Sequence, residues 1–569
     1  MEKKVMIEFK NFGFQYNAQA EPTLYGIDLA IREGEKILIA GPSGCGKSTI
    51  AHCINGLIPN FYPGTVTGDL EIMGKNFKEL SISALSKIVG TVLQDSDGQF
   101  IGMTVGEDIA FSLENDCVSY EELHERVRAT AAIVGIEDHL DHAPTDISGG
   151  QKQRVSLAGV MVDDVPILLF DEPLANLDPA TGKTAIDLID RIQKESGATV
   201  IIIEHRLEDV LYRDVDRVIL MKDGHIISDS TPDELLSSYL LIENGIREPL
   251  YITAMKYAGL SVTTAHEPHS IRTLKLSEEE KAQLRNWFET TEKEAAEDKK
   301  DILLSASHID FRYDNGFHAL KDISMDVKKG ELLAIVGRNG AGKSTFSKII
   351  CGFEKQQGGT LILNGEDMKT LSIKERADHI GYVMQNPNQM ISKPMIFDEV
   401  AVGLRTRGID EATIQTRVEE TLKICGLYPM RKWPVSALSY GQKKRVTIAS
   451  ILVLNPEIII LDEPTAGQDF RHYTDIMNFL QKINNEGITV IMVTHDMHLM
   501  QEYADRSVVF SDGQLIADDT GANILTNPDI VERASLKETS LFDLAVLAGI
   551  DRPRAFVQHF INYDREVRK

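Results

Sequence analysis

The 569-residue sequence has no long hydrophobic run. Its longest apolar stretches, such as Ile167–Phe170 and Val200–Ile203, are the length of buried strands. Crossing a bilayer takes roughly 18–20 residues, so no membrane span is expected. The five cysteines (Cys45, Cys53, Cys117, Cys351 and Cys425) are odd in number, scattered and free of any CxxC pair. That spacing supports neither a disulfide framework nor a zinc site and fits a reducing compartment. Basic residues are in deficit, with 60 Lys plus Arg against 86 Asp plus Glu and a net charge of −26. A nucleic-acid coat or an anionic lipid surface is disfavoured as main partner. The opening MEKKVMIEFKNF lacks the apolar core of a secretory signal. What remains, 43 % hydrophobic and 26 % charged, is an ordinary globular balance.

The chain contains itself twice. GPSGCGKST at Gly41–Thr49 returns as GRNGAGKST at Gly337–Thr345, and LLFDEP around Asp171 returns as IILDEP around Asp462. From Lys47 to Lys343, Ser148 to Ser439 and His205 to His495 the offset drifts by only a few residues, the mark of one duplicated domain. Each copy opens with β-like pieces, KVMIEFKNFGFQY and ILLSASHIDFRY. An apolar strand then runs into a glycine loop, and ILLFDE with TVIIIEH is matched by EIIILDE with TVIMVTH. Continuous Val/Ile/Leu strands alternating with helical segments predict a mostly parallel α/β sheet. Helical insertions are expected at about 100–160 and 396–450. Between the copies, LKLSEEEKAQLRNWFETTEKEAAEDKKD reads as a solvated, charged helical linker. The tail beyond about Ser535 is too short for a domain and suggests no chemistry.

Both glycine loops fit GxxxxGK[ST]. Gly41, Ser43, Gly44 and Gly46, like Gly337, Asn339, Gly340 and Gly342, let the backbone wrap with its N–H groups facing phosphate oxygens. Lys47 and Lys343 can reach the outer phosphates, with Thr49 and Thr345 beside them. The hydroxyls of Ser48 and Ser344 can meet Mg2+. Asp171 and Asp462 end apolar strands, where a carboxylate can hold the magnesium's water shell. The adjacent Glu172 and Glu463 can polarise an attacking water as general base.

ISGGQKQR at Ile147–Arg154 and LSYGQKKR at Leu438–Arg445 carry a more specific likeness. With them the chain resembles ATP-binding cassette (ABC) proteins over about 4–240 and 304–530. The resemblance implies two tandem P-loop cassettes, each a mainly parallel sheet with an N-terminal antiparallel β part and a helical subdomain. It places cassette 1 at 4–240, a connecting segment and charged linker at 241–303, cassette 2 at 304–535 and a tail at 536–569. It implies ATP with Mg2+ as cofactors. Ser148, Gly150 and Gln151, and likewise Ser439, Gly441 and Gln442, would cap a helix facing the γ-phosphate of an ATP held by the opposite cassette. Tyr16 and Tyr313 match the aromatic that stacks on adenine. Gln94 and Gln385 match the glutamine that senses Mg2+ and the membrane partner. Asp178 and Asp469 match the loop between the two sites, and His205 and His495 the switch histidine at the γ-phosphate. Both copies retain Lys, Asp, Glu and His.

Gln385-Asn386-Pro387-Asn388-Gln389 resembles the QNPDxQ stretch of energy-coupling-factor (ECF) importers of vitamins and transition-metal ions. Gln94-Asp95-Ser96-Asp97-Gly98-Gln99 departs from it at Ser96. The resemblance implies an ATPase at the cytoplasmic face of the cell membrane. It would be docked through Gln94–Gly102 and Gln385–Pro394 on a membrane scaffold protein that works with a small substrate-binding membrane protein. A tandem-cassette sugar or peptide importer ATPase is the alternative within transport. A soluble ribosome-associated ABC ATPase is the alternative outside it, although the modest mixed-charge linker and acidic balance fit rRNA poorly. One departure separates the copies: Gly149 in the first is Tyr440 in the second. On the resemblance Tyr440 serves the site of Glu172: either its ring points away from nucleotide and changes nothing, or that site is the slower or mainly structural one.

Overall fold

The computed structural model describes residues 3–93, 97–175, 177–291, 300–466 and 468–568. Two compact units divide the chain, Met1–Leu177 with Thr181–Leu284, and Asp178–Ala180 with Arg285–Lys569.

In the first unit β1 (Val5–Tyr16), β2 (Leu24–Arg32), β4 (Gly64–Ile72) and β5 (Lys75–Asn76) form an antiparallel sheet ordered β2-β1-β4-β5. A six-stranded sheet adds β3 (Lys36–Ala40), β6 (Val89–Val92), β7 (Ile167–Asp171), β8 (Thr199–Ile203), β9 (Arg217–Lys222) and β10 (His225–Ser230), ordered β10-β9-β3-β8-β7-β6. Its strands run parallel except for the β9–β10 hairpin. Every residue of β3, β7 and β8 is buried, because side chains leave both faces of the sheet into apolar layers. Leu38, Phe170 and Ile202 enter the core shared with the helices, whereas Ile39, Leu169 and Ile201 enter the core shared with the antiparallel sheet. Helix α1 (Lys47–Ile54) follows the glycine loop, and α2 (Val105–Asn115), α3 (Tyr120–Val134) and α4 (Gly149–Met161) form the helical insertion, with α5 (Pro179–Ser196) after β7.

Helix α6 (Glu278–Thr291) departs from the expected solvated linker. Leu284, Trp287 and Phe288 lie at i, i+3 and i+4 and are buried. In the first unit Gln283 donates to the Ala258 carbonyl (2.9 Å). In the second, Trp287 meets the rings of Phe556 and His559 at 5.8 and 4.6 Å. The charges line the remaining face of a helix whose apolar stripe is narrow.

The second unit repeats the plan. Strands β11 (Ile302–Arg312), β12 (His318–Lys328), β14 (Gly358–Leu363) and β15 (Glu366–Asp367) are ordered β12-β11-β14-β15. The larger sheet adds β13 (Leu332–Val336), β16 (Ile380–Val383), β17 (Ile458–Asp462), β18 (Thr489–Thr494), β19 (Arg506–Ser511) and β20 (Gln514–Asp519), ordered β16-β17-β18-β13-β19-β20. Its helices are α7 (Lys343–Cys351), α8 (Ile396–Thr406), α9 (Glu411–Ile424), α10 (Tyr440–Leu452) and α11 (Phe470–Asn485). The tail is ordered into α12 (Ser540–Leu547) and α13 (Pro553–Val567), and α13 buries Phe556 and Phe560. Among the described residues no helix is long and apolar enough to cross a membrane.

Candidate functional site

In each unit the glycine loop sits at the carboxyl end of the central strand, β3 or β13, where ligands of open α/β sheets gather. Gly46 and Gly342 precede α1 and α7 with φ of 103°. A Cβ on Gly342 would lie 2.6 Å from the Ala319 carbonyl oxygen, so both the angle and the close approach require glycine. The lysine of each loop folds back over its own turn. Lys47 Nζ donates to the carbonyls of Gly41 (2.8 Å) and Pro42 (2.9 Å), and Lys343 Nζ to those of Gly337 (2.7 Å) and Arg338 (3.0 Å). Burial pushes the Lys343 ammonium below its usual range, opposed by the nearby Glu463 and Asp462 carboxylates. Ser43, Gly44, Asn339 and Gly340 at the loop crests are exposed. Tyr16 and Tyr313 reach the same helices, their hydroxyls 3.1 and 3.0 Å from Thr49 Oγ1 and Thr345 Oγ1.

Parallel register brings the acidic pair beside the histidine. Asp171 pairs with Ile203 across β7–β8, and Asp462 with Val493 across β17–β18. The next residues, Glu172 and Glu463, donate their N–H groups to the Ile203 and Val493 carbonyls at 2.8 Å. Both glutamates take left-handed backbone angles, φ 51° and 46°, which turn the chain sharply at the strand end. Ser48 donates its hydroxyl to Asp171 Oδ1 (3.4 Å), and Tyr382 donates to Asp462 Oδ2 (2.8 Å). Burial raises the pKa of Asp171, Asp462 and Glu172 above the usual carboxylate range. His205 pulls Glu172 back down, and the Glu204 carboxylate works against that pull. A buried carboxylate next to a serine hydroxyl fits Mg2+, which takes one or two protein oxygens and completes its shell with phosphate and water. Among the described residues no cluster of three or more His, Cys, Asp or Glu could hold a metal alone.

The histidines differ. His495 Nδ1 lies 2.7 Å from Glu463 Oε1, whereas His205 Nδ1 is 3.9 Å from Glu172 Oε1 and 3.3 Å from Glu204 Oε1.

Ser148 and Ser439 cap α4 and α10 through reciprocal capping boxes. Ser148 N–H donates to Gln151 Oε1 (2.8 Å) and Ser439 N–H to Gln442 Oε1 (3.0 Å). Gly150 has no room for a Cβ, which would lie 2.5 Å from Thr181 Cγ2, whereas the same test at Gly441 meets nothing nearer than 3.5 Å. Asp178 and Asp469 are buried, and Asp469 caps α11 by accepting from the His472 N–H (2.9 Å). The Gln385 carbonyl accepts from Lys444 Nζ (2.6 Å) and the Tyr440 hydroxyl (3.3 Å). Gln94 lies outside the described residues. Glu204, Thr494, Tyr382 and Lys444 were not singled out from the sequence. Glu204 and Thr494 each directly precede the histidine, and that adjacency is the available signal.

The family model for the ABC transporter matches residues 24–175 and 320–466. A second model, described as ATP-binding cassette cobalt transporter, matches 238–311. A Clostridium perfringens ABC transporter ATP-binding protein is 58 % identical over the whole of both chains, and one from Enterococcus faecalis is 56 % identical, also over both whole chains. A solved structure of cbiO1 from Clostridium perfringens, part of the ABC transporter complex cbiONQ, is 33 % identical over 41 % of this chain and 94 % of its own, with a TM-score of 0.39. Two glycine loops, two acidic strand ends and a twice-matched cassette model make one assignment: the chain belongs to the ATP-binding proteins of ABC transporters, and it is an ATPase with two cassettes.

Proposed function

We propose that this chain is the energy-coupling ATPase of an ECF-type importer for a vitamin, metal ion or similar micronutrient. The observation that carries this reading is the match of 238–311 to the model described as ATP-binding cassette cobalt transporter. The QNPNQ stretch at Gln385–Gln389 supports it. The partners are a membrane scaffold protein and a small substrate-binding membrane protein, and the chain works peripherally at the cytoplasmic face.

The proposed mechanism assigns each group one task. Gly41–Gly46 and Gly337–Gly342 cradle the phosphates through backbone N–H groups, with Lys47 and Lys343 on the outer phosphates. Tyr16 and Tyr313 take the adenine. Ser48, Asp171 and Gln94, and likewise Ser344, Asp462 and Gln385, would hold Mg2+. The ion would supply charge neutralisation across the phosphates. Glu172 and Glu463 accept a proton from the attacking water, while His205 and His495 orient them and meet the γ-phosphate. Ser148 and Ser439 hold helix N-termini ready for phosphate oxygens.

Co-expression with candidate membrane partners, purification from membranes and measurement of ATP-dependent uptake test the reading. Co-purification with a polytopic scaffold and a small substrate-binding membrane protein, with uptake of a micronutrient, is the expected result. A complex that requires an extracellular sugar- or peptide-binding protein, or sedimentation with ribosomes, would overturn it.

A further inference from the structure

The residue between the last strand and the switch histidine differs in the two units: Glu204 follows β8, and Thr494 ends β18. Glu204 is 0 % exposed, and its carboxylate is held by backbone. Oε1 accepts the N–H groups of His205 (2.8 Å) and Arg206 (3.2 Å), and Oε2 accepts that of Leu174 (3.3 Å). Leu174 lies two residues beyond Glu172, and its carbonyl accepts from the Arg206 guanidinium. A buried carboxylate attracts polar groups within reach, and the imidazole Nδ1 of His205 lies 3.3 Å from Oε1.

Thr494 does the opposite. Its hydroxyl donates to Glu463 Oε2 (3.1 Å) while His495 Nδ1 meets Oε1 at 2.7 Å, so both oxygens of that glutamate are held. The same hydroxyl accepts the Asp496 N–H (2.9 Å), which fixes the direction of its own proton toward Glu463.

We infer that Glu204 is a positioning residue that draws His205 away from Glu172 and so slows the chemical step in the first cassette, where Thr494 fastens the matching pair in the second. The inference rests on the proposed roles of Glu172 and Glu463 as general bases. A base that is held on both oxygens is pre-oriented for water. One whose imidazole lies 3.9 Å away, nearer a competing carboxylate, is oriented less firmly by that imidazole, and misplacement of about 1 Å costs up to roughly a hundredfold in rate.

Reciprocal exchange in the full chain tests this. Glu463→Gln isolates the first site and Glu172→Gln the second, and single-turnover hydrolysis is followed with ATP affinity measured separately. Glu204→Thr in the first background should raise the rate about tenfold with ATP affinity unchanged, and Thr494→Glu in the second should lower it by a similar factor. Glu204→Gln keeps the acceptor for the two N–H groups without the charge, so its rate should fall between those of Glu204 and Thr. It also serves if Glu204→Thr melts early. Rates left unchanged by all three exchanges, or a change confined to ATP affinity, overturn the inference. If Glu172→Gln and Glu463→Gln together leave turnover intact, the base assignment itself has failed and the inference with it. A double variant that is inactive beside exchanges that do nothing condemns only the role of Glu204.

Discussion

Helices α4 and α10 carry one motif and are anchored in two ways. Gln153 on α4 donates to the Pro173 carbonyl, in the turn after the acidic strand end. At the matching place on α10, Lys444 donates to the Met384 (2.9 Å) and Gln385 (2.6 Å) carbonyls, and the Tyr440 hydroxyl gives the Gln385 carbonyl a second bond. The first helix is thus tied to the turn that carries Glu172, the proposed general base, and the second to the loop proposed to face the membrane partner. Duplication preserved the phosphate-binding motifs while the supports around them diverged. Tyr440 also answers what a ring does in place of glycine: it lies along its own Gln385 loop, 41 % exposed, and leaves the capping box of Ser439 intact.

The comparison breaks first if the bases are misassigned. Glu172→Gln combined with Glu463→Gln should cut ATPase turnover by about 10²–10⁴-fold, the usual worth of a general base, while ATP stays bound. Near-normal turnover by phosphate release would end the scheme. Next in size is the buried cation. Lys444, 1 % exposed, is pushed down to about 8 by burial, against the pull of Asp462 and Glu463. Below pH 8 folded and unfolded chains both hold its proton and the burial cost is fully present. Between about 8 and the ordinary 10.5 the folded state releases the proton first, and the cost is relieved. Wild type should therefore gain up to about 3 kcal/mol relative to Lys444→Gln across that window in denaturant titrations. A flat difference refutes the buried charge. Unequal sites come third. With membrane partners present, Glu463→Gln should lower steady-state ATPase activity about tenfold more than Glu172→Gln, and equal losses or the reverse order would remove the asymmetry. Smallest is Tyr440→Gly, expected to change turnover only about two- to threefold, since it removes one exposed hydrogen bond worth roughly half a kcal/mol. A larger effect would move Tyr440 from support to chemistry.

Features whose place in the fold is tied to a local pattern were legible from sequence. The glycine loops, the acidic strand ends and the helix-capping serines carry their reason in four to eight consecutive residues, and the duplication doubled each signal. The two-sheet plan followed from runs such as Ile37–Ala40, apolar at every position because both faces are covered. Features that depend on where a side chain leans were not legible. A lysine on a polar helix face, as Lys444 reads, gives no hint that it turns inward to two carbonyls. Glu204 and Thr494 look like ordinary neighbours of a histidine until strand register brings one carboxylate into competition with another. Leu284, Trp287 and Phe288 show the i, i+3, i+4 spacing of a buried stripe, but the surrounding charge outweighed it.

The left-handed backbone at Glu172 and Glu463 has a consequence for how such a chain changes under selection. Glycine takes that conformation without the clash a Cβ suffers, a difference of about 1 kcal/mol per position, and it would also remove a carboxylate that burial disfavours at Glu172. Replacing Glu172 by glycine should therefore give a protein that melts later and works less, whereas at Glu463 the lost bonds to Thr494 and His495 offset the gain. A lineage kept for stability alone, with transport no longer needed, would lose Glu172 first, and a first cassette with glycine there would have exchanged turnover for durability.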